Sequence, residues 1–207
     1  MRWEEFLHPQ SCQEYLAFLN LHSVMVEEIK NSGARTILEI GAGGANLAIF
    51  LSTLGKQVTA MDKNEKVLEV AQQNCERFGG RVKFLCADAF HTPFQDRTFD
   101  LSMSQGLFEH FSDEEILALV KEQVRIARRV FISIPNHYYP VRDFGDERLL
   151  PTGQWSELIK RGLRGNSLKV RTLEYGRFFL RSHPFRSLMN SLFDRRFLTL
   201  LMIEPSS

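Results

Sequence analysis

The chain has 207 residues, 43% hydrophobic and 25% charged, with a formal net charge of +1. That length and composition suit one folded domain with a single sizeable core. No apolar run approaches the roughly 18 residues that a membrane-spanning helix needs, so no membrane partner is expected.

The start, Met1-Arg2-Trp3-Glu4-Glu5, is acidic where a secretory signal is basic and then apolar, so a cytoplasmic protein is expected. Cys12, Cys75 and Cys86 are odd in number and form no C-x-x-C pair. They are expected as buried free thiols, with no disulfide framework and no metal site. Residues 151–207 hold ten Lys/Arg against four Asp/Glu, a net +6, and the rest of the chain is −5. A solvated basic face explains this, and an anionic group on a partner is the other reading. Nothing resembles a basic-aromatic repeat, so no nucleic-acid partner is expected.

Residues 1–30 read as an N-terminal helical cap, with one amphipathic helix over 11–30 whose apolar face carries Tyr15, Phe18, Met25 and Ile29. From residue 34 a rhythm begins. Short apolar runs at 36–40, 57–61, 81–86, 99–104 and 129–134 read as buried strands. Helices fit between them at 46–54, at 65–78, and after Ser112. There Ser112 and Glu115 spell a capping box, and Asp113 and Glu114 favour the helix N-terminus. Strand–helix alternation implies parallel strands joined by crossovers. After Pro135 the rhythm breaks into a polar, aromatic loop. A helix at 154–161, a strand at 168–175, an insertion around 184–193 and a last strand at 197–203 follow. The last two strands are expected to pair as a hairpin at one sheet edge. The fold expected is α/β: a Rossmann-like, doubly wound, mostly parallel seven-stranded sheet with an antiparallel C-terminal hairpin strand.

In such a sheet, ligands bind outside the carboxyl ends of the strands. Glu39-Ile40-Gly41-Ala42-Gly43-Gly44 closes the first strand. Its glycines permit a tight turn and a close backbone approach, and Glu39 sets a carboxylate where a cationic amine is welcome and a pyrophosphate is not. Asp62 ends the second strand, placed to accept hydrogen bonds from ribose hydroxyls, with Lys63 beside it. Asp88 follows the third strand, where Asp88 and Ala89 suit an adenine. Singly, these are a turn, a helix cap and a turn residue. Together they describe a ligand with an amine, a ribose and an adenine, and no phosphate.

The arrangement resembles the class I S-adenosylmethionine-dependent methyltransferases over residues 34–135. The resemblance implies S-adenosylmethionine as cofactor, leaving S-adenosylhomocysteine, held by Glu39, Gly41, Ala42, Gly43, Asp62, Lys63, Asp88, Ala89, Ser104 and Gln105. The family's third loop glycine is Ala45 here, where a close backbone contact is expected. The segment Ser104 to Phe111 would pass near the sulfonium. It carries Glu109 and His110 and lacks the N-P-P-Y type motif of members that methylate exocyclic or amide nitrogens.

Residues 136–207 read as a substrate-side loop followed by the C-terminal strands. Asn136, Tyr138, Tyr139 and Asp143, with Glu109, are the candidate substrate ligands. His110 and His137 are the candidate general bases, since a histidine titrates close to neutrality. The segment through Gly145-Asp146-Glu147-Arg148 also resembles a set of small methyltransferases of unassigned substrate. The N-terminal arm, Trp3, Phe6, His8 and Tyr15, reads as a lid or as plain packing. The reaction expected is methyl transfer to a nitrogen or oxygen of a small-molecule acceptor. Two rivals are a cofactor-binding regulator or scaffold without catalysis, and a nicotinamide-dependent oxidoreductase, whose fingerprint would need glycine where Asn46 stands.

Overall fold

Each apolar run becomes a strand, and the periodic segments between them become helices. The computed structural model describes residues 10–140, 142, 144–165, 167–177 and 195–206. Chain order is α1 (Cys12–Leu21), α2 (Ser23–Asn31), β1 (Thr36–Ile40), α3 (Asn46–Thr53), β2 (Gln57–Asp62), α4 (Glu65–Arg77), β3 (Val82–Cys86), β4 (Phe99–Gln105), α5 (Asp113–Ile126), β5 (Ala127–Pro135), α6 (Thr152–Gly162), β6 (Leu168–Tyr175) and β7 (Leu198–Pro205). The strands form one seven-stranded sheet in the order β3-β2-β1-β4-β5-β7-β6.

Strands β1 to β5 pair in parallel, with Ile40 opposite Met61 on one side and Ser104 on the other. β7 runs antiparallel between β5 and β6, so the expected hairpin closes the edge. The chain winds outward from β1 to β3, then returns to β4 on the other side of β1. That reversal opens a crevice beyond the carboxyl ends of β1 and β4, where the glycine loop lies. Alternate side chains serve opposite faces. Ile37, Val58, Ala60, Met103 and Phe131 pack beneath α1 to α4, and Val130, Ile132 and Ile134 pack beneath α5 and α6. Among the described residues no helix is long and apolar enough to cross a membrane.

The capping box forms as read. Ser112 Oγ accepts the Glu115 amide and the Glu115 carboxylate accepts the Ser112 amide. Several boundaries differ from expectation. The single helix over 11–30 is two, separated at His22 (φ −94°, ψ 15°), whose side chain is turned into the core. α5 runs straight into β5, Ile126 to Ala127, so that strand begins two residues early. Only Cys75 is buried; Cys12 and Cys86 are exposed free thiols. The arm at Trp3, Phe6 and His8, the insertion at 184–193, and Asp143 lie outside the described residues.

Candidate functional site

The glycine loop takes its shape from three left-handed residues: Gly41 (φ 74°), Gly43 (φ 49°) and Ala45 (φ 55°). The amides of Gly41 and Ala42 both donate to Met61 O at 3.0 Å, tying the loop to the end of β2. A Cβ on Gly41 would meet Leu107 Cδ1 at 3.1 Å, whereas one on Gly43 would meet nothing within 4 Å. Glycine is therefore needed at 41 for close approach, and at 43 the backbone faces open space that a ligand can enter. Ala45 stands at the position of the third loop glycine. It is fully buried, its amide donates to Ala42 O at 2.7 Å, and it starts α3 in a conformation that costs an alanine about 1 kcal/mol.

The acidic residues are embedded in this backbone. Glu39 is 4% exposed, and its Oε2 accepts the Ala48 amide at 3.2 Å. Burial pushes its carboxyl up to about 8 against that single bond, so a cation alongside would stabilise its ionised form. Asp62 is likewise raised by burial, opposed by the amides of Asn64, Gly43 and Lys63 and by the Lys63 charge. Asp62 thus fastens the glycine loop from outside while standing at the strand end. The Lys63 side chain is exposed. Asp88 lies two residues beyond β3, exposed, with Oδ1 accepting the Phe90 amide at 2.9 Å, and Ala89 is half-buried beside it.

At the end of β4, Ser104 is buried and Gln105 half-buried. Among the described residues, Ser104 Oγ and Asn46 Oδ1 are buried without a hydrogen-bond partner. Gly106 (φ 63°) turns the chain into a 3₁₀ turn, Phe108–His110, and Glu109 is buried within it. His110 Nδ1 lies 2.9 Å from Asp146 Oδ1, and its ring meets Phe144 edge-on at 5.5 Å. The segment bearing Asp146 is pinned onto this turn. The Arg148 amide donates to Glu109 O, its guanidinium reaches Phe111 O and Asp113, and Glu147 accepts the amides of Phe144 and Gly145.

The loop after β5 divides its candidates. Asn136 is fully buried; its Nδ2 donates to Arg196 O at 2.9 Å and its Oδ1 accepts the Tyr138 amide at 2.9 Å. Both ends of its amide are engaged within the fold. His137 is exposed with its ring 3.8 Å from that of half-buried Tyr138, and Tyr139 packs edge-on to Phe197 at 5.6 Å. Tyr15 stacks flat on Phe78 at 4.2 Å, so this one of the four arm residues packs within the fold.

Sequence reasoning missed two sets of residues. Asn74 on α4 is fully buried; its Oδ1 accepts the Gln10 amide and its Nδ2 donates to Gly44 O, joining the incoming N-terminal segment to the glycine loop. An asparagine on the apolar stripe of Val67, Leu68, Ala71 and Cys75 was the available signal. The second set is a buried chain, His22 Nδ1 to Tyr175 OH at 2.8 Å and Tyr175 OH to Ser133 Oγ at 2.5 Å, for which no local pattern exists. Burial lowers His22 to about 4, so it serves there as a neutral ring.

Residues 37–129 match the family model of a methyltransferase domain. A ubiquinone biosynthesis O-methyltransferase of Aromatoleum aromaticum is 28% identical over 156 residues, 72% of this chain and 64% of the relative. An uncharacterized methyltransferase of Bacillus subtilis is 27% identical over 127 residues, 60% of this chain and 49% of the relative. The chain spans about half the length of that relative and of another from Staphylococcus carnosus. Among solved structures, the magnesium protoporphyrin IX methyltransferase of Synechocystis with bound SAH superposes with a TM-score of 0.67 at 15% identity. That match covers 93% of this chain and 84% of the other, a likeness of fold.

Proposed function

Since residues 37–129 form a class I S-adenosylmethionine-dependent methyltransferase domain, we propose that the protein transfers a methyl group from that cofactor to a nucleophilic nitrogen or oxygen of a small-molecule acceptor. The observation that carries this reading is the glycine loop. Of its three left-handed residues, Gly41 is tied to Met61 O, Gly43 to Asp62 and Ala45 to Ala42 O, with a buried carboxylate, Glu39, at their base. A buried carboxylate favours a cationic ligand and disfavours a pyrophosphate, and Asn46 fills the dinucleotide fingerprint's third glycine position, so the nicotinamide reading falls behind.

Glu39 and the loop from Gly41 to Gly43 would hold the amino-acid end of the cofactor, with Asp62 and Lys63 at the ribose. Asp88 and Ala89 would hold the adenine, and Ser104 and Gln105 would line the approach to the reacting centre. The cofactor supplies an activated methyl group, and the protein aligns the acceptor and excludes water. His110 is the better-placed base. Its Nδ1 faces a carboxylate, which only accepts, so the neutral ring carries its proton on Nδ1 and is oriented by Asp146. His137 is exposed, and among the described residues its ring meets Tyr138 rather than a carboxylate. Tyr138 and Tyr139 are the available acceptor contacts, while Asn136 shapes their loop. Two of the similar proteins, a ubiquinone biosynthesis O-methyltransferase and a magnesium protoporphyrin IX methyltransferase, support a small-molecule acceptor.

Calorimetric titration with S-adenosylhomocysteine, S-adenosylmethionine and NAD tests the cofactor assignment. Saturable binding of the first two and none of NAD is expected. Tight binding of NAD alone overturns it.

A further inference from the structure

A cavity of about 800 Å³ lies at the opposite end of the sheet from the glycine loop. Four arginines line it from three parts of the chain: Arg35 entering β1, Arg97 in the turn before β4, and Arg128 and Arg129 at the start of β5. Arg129 is committed, donating to Ser32 O at 2.7 Å with Nε 3.8 Å from Glu204. Arg35, Arg97 and Arg128 form no salt bridge with any described residue. The one acidic residue in the lining, Asp100, is held chiefly by backbone, its Oδ2 accepting the amides of Arg35 and Thr36, each at 3.0 Å, with the Arg128 charge a lesser influence on its carboxylate. Asp96, next to Arg97, is bound to Arg125 at 2.8 Å instead.

Arg97 adds an independent observation. Its φ is +54°, a region that suits glycine or asparagine and strains an arginine, and its amide is held by Arg125 O at 2.8 Å. A guanidinium is thus carried to the rim on a strained turn. A smaller cleft of about 300 Å³ continues past Arg97 and Val124 toward Lys121, extending the positive lining. The floor is apolar, formed by Val130, Leu168 and Ile203.

We propose that this cavity binds a small organic phosphate, a multiply charged anion with an apolar or aromatic body, at a site separate from the methyl-transfer centre. Guanidinium forks match phosphate oxygens two at a time, and the volume falls in the range of small-molecule sites. The apolar floor beneath a cationic rim asks for a ligand with both characters. A long polyanion would run from the cavity onto Asp96, which lines the adjoining cleft, and Glu204, between the lining residues Ile203 and Pro205. The cationic groups come from the leading ends of the strands, not from the C-terminal basic excess, so this site is distinct from the anionic partner that excess suggests.

Calorimetry on the full chain tests the proposal with ATP and inorganic pyrophosphate as probes. One ATP should bind per chain, more tightly than pyrophosphate. The double variant Arg35→Ala/Arg128→Ala should lose at least about tenfold in affinity while binding S-adenosylhomocysteine as before. Arg97→Gly should weaken ATP binding and raise the melting temperature, which separates loss of a ligand contact from loss of fold. Asp62→Ala should leave ATP binding intact. Four results would overturn the proposal: no saturable ATP binding at millimolar concentration, affinity unchanged in the double variant, loss of ATP binding in Asp62→Ala alone, or a short RNA displacing ATP at lower concentration than ATP itself binds.

Discussion

Two loops meet at the carboxyl ends of the strands, and they are held in different ways. The glycine loop at 41–45 is shaped by its own backbone angles and by the neighbouring strand end, Met61 and Asp62. The loop at 136–148 is shaped from far along the chain. Asp146 meets His110 from 36 residues away, and Asn136 meets Arg196 O from 60. The first is held mainly at the ends of β1 and β2, with Leu107 against Gly41 and Asn74 bonded to Gly44 O as its added supports. The second is a set of tertiary agreements, so it can be retuned toward a new acceptor without disturbing the cofactor end.

Substitutions can break this contrast or sharpen it. Asp62→Ala removes both the fastening of the glycine loop and the proposed ribose contact, and should weaken S-adenosylhomocysteine binding about 100-fold, near 3 kcal/mol. Calorimetry reads this directly, and undiminished affinity would show that the loop needs no outside fastening. Asn136→Ala acts on the other loop. It strips buried hydrogen bonds to Arg196 O and the Tyr138 amide and should cost about 2–3 kcal/mol in chemical denaturation, with cofactor affinity nearly unchanged. A parallel loss of cofactor affinity would mean that the two loops are one mechanical unit.

Glu39 offers a pH test. Its folded-state value, about 8, lies above the ordinary value of 4.5, so its contribution to stability is full below 4.5 and is lost as pH rises through 8. Glu39→Gln should therefore unfold at higher denaturant than the parent at pH 9, by on the order of 2 kcal/mol, yet bind cofactor less well. Equal stability at both ends of that pH range would sink the burial argument. Asp146→Asn should lower kcat about tenfold with KM little changed for an accepted substrate, and should shift the pH–rate profile, if His110 is the base it orients. Smallest of all, Ala45→Gly relieves a left-handed alanine but gives up a buried Cβ and loosens the unfolded chain. The net change in stability should stay within about 0.5 kcal/mol.

What could be read in advance follows the same division. Apolar runs, the Ser112–Glu115 box and the acids after β1, β2 and β3 are local patterns, and local patterns fix strands, caps and strand-end residues. The break at His22 has no local cause. It places a ring against Tyr175, 153 residues away, and periodicity alone continues the helix through it. Asn136 read as a ligand because polar residues in loops often are, and nothing in sequence shows that β7 consumes its amide. Exposure of Cys12 and Cys86 was missed because thiol composition carries no direction. The arginine-lined cavity was missed because Arg35, Arg97 and Arg128 are scattered in the chain and converge only when β1, β4 and β5 pair.

The junction at Ile126 and Ala127, where α5 becomes β5 without a spare residue, limits how this chain can change length. One inserted residue there would slip β5 by one position and exchange its faces. Phe131 and Ser133 would turn toward α5 and α6, and Ile132 and Ile134 toward His22 and Tyr175. A polar chain would be cut and two apolar layers mismatched by a single codon. An inserted residue is therefore borne more easily after β5, beside the crevice, than before it.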